Sequence, residues 1–295
     1  MGIRFQIILS LNSEFIKDLK SVSYTFQMKM ILEKTIEILL QIYKYHKILP
    51  PKVNKVVIGL GYTGVELATY AYDPFLGVAQ TLPSLIQKFD CTKINYAGCL
   101  TEKSFSELLN WSLKPPSIQK IIGIATLNAA SQHILEIQNP YQELEEGLIK
   151  YLKINNTSRI IFIGYIGPLI EKVNSITNFI TVVDDSPSIT KFNVRDSINQ
   201  LNERELDIDI LFCSGTSIIN NTLEDIVSLF RKKVQYIVVL GPTASFIPDI
   251  LFDYGIDIVG GMKILDSEST LRIIQEGGGT KLFKKYGKKY NFIKQ

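Results

Sequence analysis

The sequence predicts a mixed α/β protein in which an α+β domain precedes an open, parallel, Rossmann-like sheet wrapped by helices. Three observations carry that expectation. In the first part of the chain, alternating apolar runs are followed by two helical patterns, whereas from Tyr141 onward short apolar runs and helical patterns alternate. The later runs (RIIFI, DILFC, YIVVL) are nearly continuous in Ile, Leu, Val and Phe, as in strands buried on both faces. The 295 residues are 46% hydrophobic, enough to bury the cores of two domains.

Residues 1–27 open with MGIRFQIILSL, an arginine and a short apolar run without a small-residue cleavage site, and read as an extension rather than a signal peptide. The α+β domain is expected over 28–137. From Met30 to Lys47, Leu32, Ile36, Leu39, Leu40 and Tyr43 recur at helical spacing, and Pro50-Pro51 ends the pattern. KVVIGLGYTGVELA then places Gly59, Gly61 and Gly64 in GxGxxG spacing. A dinucleotide fingerprint needs a helix directly after the third glycine and an acidic residue closing the next strand. Here Val65–Tyr72 alternates like a strand, Asp73-Pro74 stops it, and LGVAQTL ends without an acid. An antiparallel meander turning at the glycines fits better. Helices are expected at Ser104–Trp111 and Ser117–Leu135, with Gln138-Asn139-Pro140 as the linker. Asn128, inside the second helix, is either a satisfied core amide or a group facing the domain junction.

The second domain, 138–295, should open with a helix at Leu144–Leu152. Strands at Arg159–Ile163, Phe179–Val183, Asp209–Cys213, Tyr236–Leu240 and Ile256–Val259 follow. Lys281, Lys284, Lys285, Lys288 and Lys289, interleaved with Phe283, Tyr286 and Tyr290, read as a solvated terminal helix rather than a phosphate-binding tail.

Open α/β sheets bind ligands beyond the carboxyl ends of their strands, so the loops there are the candidate site. In DILFCSGTSIINNTLED the strand ends in a polar cluster containing Thr216, Asn220, Asn221 and Thr222; the competing reading is that Asn221 and Glu224 form a capping pair. Gly164-Tyr165-Ile166-Gly167-Pro168 is a strand-to-helix turn whose glycines admit close backbone approach and whose helix start suits an anion. About 20 residues on, Asp184-Asp185 closes the next strand, where doubly wound domains place a carboxylate for a ribose or similar diol. The third glycine of the nucleotide fingerprint is missing. Gly241, Pro242 and Thr243 begin a third such loop. Asp184, Asp185 and Cys213 together would offer oxygen and thiolate ligands to a transition-metal ion, although Cys213 alone reads more readily as a buried small residue than as a ligand.

Composition excludes several classes. Two histidines, His46 and His133, cannot build a histidine-rich metal cage, and there is no GxSxG elbow, P-loop lysine or Ser-His-Asp set. A net charge of +3 demands no nucleic-acid partner. No run of about eighteen apolar residues appears, so no membrane partner is expected either. Three cysteines without CxxC spacing point to a reducing, cytoplasmic setting.

At these loops the sequence resembles a known family. CSGTSIINNTLEDI, LGPTASFIPDILFDYGIDIVGG and GYIGP with VVDDSP look like the putative heavy-metal chelation domain. VVIGLGYTGVEL, LGVAQTLP and IIGIATLNA look like its usual N-terminal companion, whose fold is similar to the enolase N-terminal domain. The resemblance runs from about Met28 to Lys281. It implies a Rossmann-like C-terminal domain and a site in the cleft between the two domains. The positions it assigns to that cleft are Asn128, Gly164, Gly167, Asp184, Thr216, Asn220, Asn221, Thr222, Gly241, Pro242 and Thr243. The expected function is binding of a small anionic molecule or metal chelate, with any chemistry on it left open. The rival is an enzyme dependent on NAD or S-adenosylmethionine that sets Asp184 on a ribose; a non-catalytic sensor or carrier is the third reading. A homo-oligomer is compatible with the sequence.

Overall fold

Two sheets share one long buried helix, and the way backbone closes around that helix positions everything else. A computed structural model describes residues 31–86, 96–184, 192–202 and 205–295. The expected extension, residues 1–27, lies outside the described residues, as do Met28 and Cys91.

The first sheet is the expected meander: β1 (Lys52–Ile58), β2 (Tyr62–Ala68) and β3 (Phe75–Gln80) pair antiparallel in that order. The Gly59 N–H donates to the Tyr62 carbonyl at 2.9 Å and closes the first turn. Gly64 lies inside β2, opposite Val57 and Val78, so no helix follows it. The GxGxxG glycines have a packing reason instead. A Cβ at Gly59 would lie 2.2 Å from the Ile274 carbonyl oxygen and one at Gly64 2.9 Å from Leu271, so the helix Ser267–Gln275 lies directly on the meander.

On the other side runs the helix Ile118–Ile137, begun by Ser117, whose Oγ accepts the Lys120 N–H at 3.2 Å. It is buried without interruption from Lys120 to Ile134, as a helix that is apolar all round must be. Backbone meets backbone along it. A Cβ at Gly77 in β3 would lie 2.0 Å from the Ala125 carbonyl oxygen and 2.2 Å from the Ala129 nitrogen. One at Gly123 would lie 2.0 Å from the Ser112 nitrogen, just past the helix Phe105–Trp111, which explains a glycine in mid-helix. The helix Ile31–Tyr45 buries Leu32, Ile36, Leu39 and Tyr43. Its Tyr43 hydroxyl is 2.8 Å from His133 Nδ1, and the rings of Phe75 and Tyr72 stand 5.0 and 5.6 Å from the imidazole. Burial in this aromatic box holds His133 below its ordinary pKa.

The second sheet has the order β4-β11-β10-β9-β8-β5-β6-β7. Its parallel part comprises β5 (Ile160–Ile163), β6 (Ile180–Val183), β7 (Asn193–Arg195), β8 (Ile210–Ser214), β9 (Tyr236–Leu240) and β10 (Ile258–Ile264). β11 (Gly287–Ile293) pairs antiparallel with β10, and β4 (Gln142–Glu143) with β11. Ile161, Leu211, Cys213 and Val239 enter the core that includes the long helix. Ile160, Phe162, Ile210, Phe212 and Val238 fill the opposite face, where the Phe162 and Phe212 rings stack at 4.8 Å. Residues Ile31–Gln295 form one compact unit, and no helix among the described residues is long and apolar enough to cross a membrane.

Three expectations change. The lysine-rich tail is one helical turn, Thr280–Phe283, a 3-10 turn and then strand β11, because Tyr290 and Phe292 bury at strand spacing against β10. The helix expected at Leu144–Leu152 shrinks to Leu148–Tyr151, since Gln142–Glu143 is drawn into the sheet. The strand expected at Ile256–Val259 is instead β10, Ile258–Ile264, with Gly260 and Gly261 inside it; a Cβ at Gly261 would meet the Tyr290 hydroxyl at 2.4 Å.

Gly77→Ala should lower unfolding free energy by about 3 kcal/mol, because neither backbone can yield without displacing the helix. Urea denaturation checks it, and a loss below about 0.5 kcal/mol would contradict the contact. His133 gives a pH dependence. Its folded pKa lies below the unfolded value of about 6.5, so its burial is tolerated above that pH and stability falls as pH drops through it. His133→Phe should flatten this acid limb in denaturation curves recorded across the range.

Candidate functional site

The winding of the parallel sheet reverses between β5 and β8: from β5 the chain proceeds to β6 and β7 on one side, while β8, β9 and β10 lie on the other. The loops leaving the carboxyl ends of β5 and β8 therefore diverge, the arrangement at which open α/β sheets bind ligands. On the β5 side, Gly164 has φ +88° and a Cβ there would lie 2.6 Å from Cβ of Ser214 on β8, so both its conformation and its contact require glycine. The turn enters the helix Gly167–Asn174, with Pro168 in the first turn and no side-chain cap. Asp184 follows β6 directly. Its Oδ2 accepts the Tyr165 N–H at 2.7 Å, and its own N–H donates to the Arg195 carbonyl of β7 at 3.0 Å. The carboxylate is thereby fixed against the glycine turn. On the β8 side, the Thr216 hydroxyl donates to Ser214 Oγ at 3.0 Å. Gly241, at φ +126°, opens the loop after β9. Gly164, Gly167, Asp184, Thr216 and Gly241 thus lie along the carboxyl ends of the neighbouring strands β6, β5, β8 and β9.

Asn128, Pro242 and Thr243 hold the 3-10 turn Pro242–Ala244 in place, and two of them are buried. Thr243 is 2% exposed, and its Oγ1 accepts the Gln80 N–H at 3.0 Å, joining the end of β3 to the second sheet. Asn128 is fully buried, with Nδ2 at 2.8, 3.2 and 3.1 Å from the carbonyl oxygens of Val78, Pro242 and Thr243. It is both a core amide and a junction group. One helical turn on, Gln132 Nε2 donates to the Ser245 carbonyl at 2.9 Å and to the Tyr290 hydroxyl at 3.1 Å. Among the described residues, Asn128 Oδ1 and Gln132 Oε1 are buried without a hydrogen-bond partner.

Asn220, Asn221 and Thr222 lie past the other end of the single-turn helix Thr216–Ile219. Asn220 is exposed. Thr222 Oγ1 donates to the Ser217 carbonyl at 3.4 Å. Asn221, left-handed at φ +57°, accepts through Oδ1 from Lys120 Nζ. The expected Asn221–Glu224 capping pair does not form: Glu224 Oε1 accepts the Ile31 N–H at 3.1 Å instead. Lys120 is fully buried, and desolvation brings its pKa down to about 8 against the opposing charge of Glu224. Sequence reasoning missed this lysine; its one signal is a cation flanked by Ile118, Ile121 and Ile122 in the first turn of the helix.

Of the expected metal set, Asp184 and Cys213 are among the described residues. Cys213 is fully buried in the apolar face shared by Ile161, Leu211 and Val239, and burial raises its thiol pKa, so the thiolate a metal needs is disfavoured. Asp185 lies outside the described residues. Among the described residues, no group of three or more His, Cys, Asp or Glu could hold a metal ion.

Two family models match the chain, both described as "Putative heavy-metal chelation", one over residues 147–293 and the other over residues 45–131. An uncharacterised protein of Methanocaldococcus jannaschii is 26% identical over 191 residues, 64% of this chain and 71% of that one. Two crystal structures of proteins of unknown function, from the family of the C-terminal model, share the fold. The Pyrococcus horikoshii protein aligns with a TM-score of 0.74 at 22% identity, covering 90% of this chain and 100% of that chain. The Desulfitobacterium hafniense protein aligns with a TM-score of 0.66 at 16% identity, covering 89% and 100%.

Asn128→Ala should cost about 2–3 kcal/mol in urea denaturation, because it withdraws the donor shared by three buried carbonyls. A loss under about 0.5 kcal/mol would mean that these carbonyls find other partners.

Proposed function

The chain belongs to the family described as "Putative heavy-metal chelation", and from that premise we propose that it binds a small anionic metal chelate in the crevice between β5 and β8. In this reading the two expected domains, 28–137 and 138–295, meet beside it, where Asn128 holds the Pro242–Ala244 turn. The observation that carries it is the Asp184 carboxylate, held by the Tyr165 N–H beside a glycine turn at the point where strand order reverses. At the start of the helix Gly167–Asn174 the Gly167 N–H faces an anionic part of the ligand, since Pro168 has no N–H and those of Leu169 and Ile170 donate to the Ile166 carbonyl. Asp184 serves a hydroxyl or the metal, and Thr216 orients the ligand from β8. The donor types favour a chelate over a bare ion: the crevice offers oxygen atoms, whereas Cys213 and His133 sit in apolar surroundings. A chelate brings its own donors and asks the protein only for shape and hydrogen bonds. A cytoplasmic setting belongs to the same proposal, with Cys99 an exposed free thiol.

Position also favours one second reading. A carboxylate after β6, next to the glycine turn after β5, is where a nucleotide-dependent enzyme holds a ribose. Saturable NAD or S-adenosylmethionine binding that Asp184→Asn abolishes would move the assignment there. A ligand recovered unchanged after long incubation would indicate a carrier or sensor.

Native mass spectrometry of the freshly purified full chain, set against its denatured mass, tests the proposal. The expected excess is a metal plus an organic molecule. Asp184→Asn keeps an acceptor for the Tyr165 N–H but removes the charge, and should lower occupancy about tenfold or more with little change in melting temperature. Equal occupancy in the variant would sink the assignment of Asp184.

A further inference from the structure

The lysine-rich segment plays no part in the crevice, and its structure suggests a separate role. From Gly277 to Gln295 the sequence carries six lysines and no aspartate or glutamate. Lys288 pairs with Glu143 at 3.3 Å and Lys294 donates to the Phe252 carbonyl at 2.6 Å. Lys281, Lys284 and Lys285 are exposed and form no ion pair with a described residue. The segment is nevertheless held firmly. Phe283 is fully buried with its ring 5.0 Å from that of Tyr62, and the Thr280 hydroxyl donates to the Tyr62 hydroxyl at 2.7 Å. These anchors leave the intervening side chains facing outward.

Apolar groups stand among them. Leu60, at the tip of the β1–β2 turn, is 73% exposed, Leu282 56% and Leu265 66%. They share one surface. A Cβ at Gly277 would touch Leu60 at 3.3 Å, one at Gly278 would touch Leu282 at 3.2 Å, and the Leu265 N–H donates to the Tyr286 carbonyl at 2.8 Å. Exposed leucines on anchored turns, in a segment whose Lys281, Lys284 and Lys285 pair with no described carboxylate, unite the two attractions a peripheral protein uses at a membrane surface: shallow apolar insertion and charge complementarity with anionic headgroups. The cations here are lysines and the exposed apolar groups aliphatic, whereas nucleic acid rewards arginine forks and stacked rings. The lack of a membrane-spanning helix among the described residues is no obstacle, since surface docking needs none.

We infer that the surface formed by the β1–β2 turn and the Lys281–Lys285 segment docks on an anionic lipid bilayer. Co-sedimentation of the full chain with vesicles tests it, comparing phosphatidylcholine alone with phosphatidylcholine containing about one quarter phosphatidylglycerol. The protein should bind the anionic vesicles at low salt and not the neutral ones. Each lysine near the surface is worth about fivefold in affinity, so the triple variant Lys281→Glu, Lys284→Glu, Lys285→Glu should bind at least about a hundredfold more weakly. Leu60→Ser with Leu282→Ser should weaken binding about tenfold while leaving its salt dependence in place. Circular dichroism should show both variants folded, as expected for exposed positions. Absence of vesicle binding, binding indifferent to the lysine variant, or binding indifferent to the leucine variant would overturn the inference. So would tighter binding to a single-stranded oligonucleotide than to anionic vesicles.

Discussion

A helix buried from its first turn nearly to its last imposes the main constraint on this molecule. Ile118–Ile137 has no face to give to solvent, so layers must close on it from more than one side. The meander supplies one layer and the parallel sheet with its loops another. The approach is so close that glycine is required where β3 and the end of the helix Phe105–Trp111 touch it. Most polar side chains along it find partners inside the protein, although Ser131 Oγ has none among the described residues. Lys120 reaches Asn221, Asn128 reaches β3 and the Pro242–Ala244 turn, Gln132 reaches Ser245 and Tyr290, and His133 reaches Tyr43. The polar residues of one helix thus tie the first sheet to the loops that frame the crevice.

Glycine serves two purposes here that spacing alone does not separate. At Gly59, Gly64 and Gly77 it removes a side chain so that a helix can lie on a sheet. At Gly164 and Gly241 it provides a positive φ where strands end. The GxGxxG spacing belongs to the first kind and the GYIGP turn to the second. What distinguishes them in the sequence is context. Alternation after Gly64 speaks for a strand, whereas an apolar run ahead of Gly164 with Pro168 following it speaks for a strand-to-helix turn.

That contrast marks how much of the fold is legible in the sequence. Buried parallel strands announce themselves as unbroken apolar runs, and β5, β6, β8 and β9 fall within a residue or two of their expected bounds. β4 and β7 are too short and polar to leave a periodic trace, and β11 hides its Tyr290 and Phe292 alternation among lysines. At the site, the loops are legible because they follow recognisable strands. The division of the polar cluster after β8 is not: Asn221 is committed to a lysine 101 residues away and Glu224 to an N–H 193 residues away. Local spacing makes those two residues a capping pair, and tertiary partners outcompete it.

The same sorting bears on what the crevice can hold. Soft metal ions favour thiolate and imidazole, and among the described residues Cys213 lies against the apolar face of the sheet and His133 inside a ring of aromatic side chains. What borders the proposed crevice is a carboxylate pinned by a backbone N–H, two hydroxyls joined to each other, and the glycine-led start of a helix. Such groups are suited to reading the outside of a molecule by hydrogen bonds and charge rather than to stripping a metal of its ligands. In the reading proposed here, selectivity for a heavy metal would then come from the chelator, and the protein would recognise the pair by the anionic shape that the chelator presents.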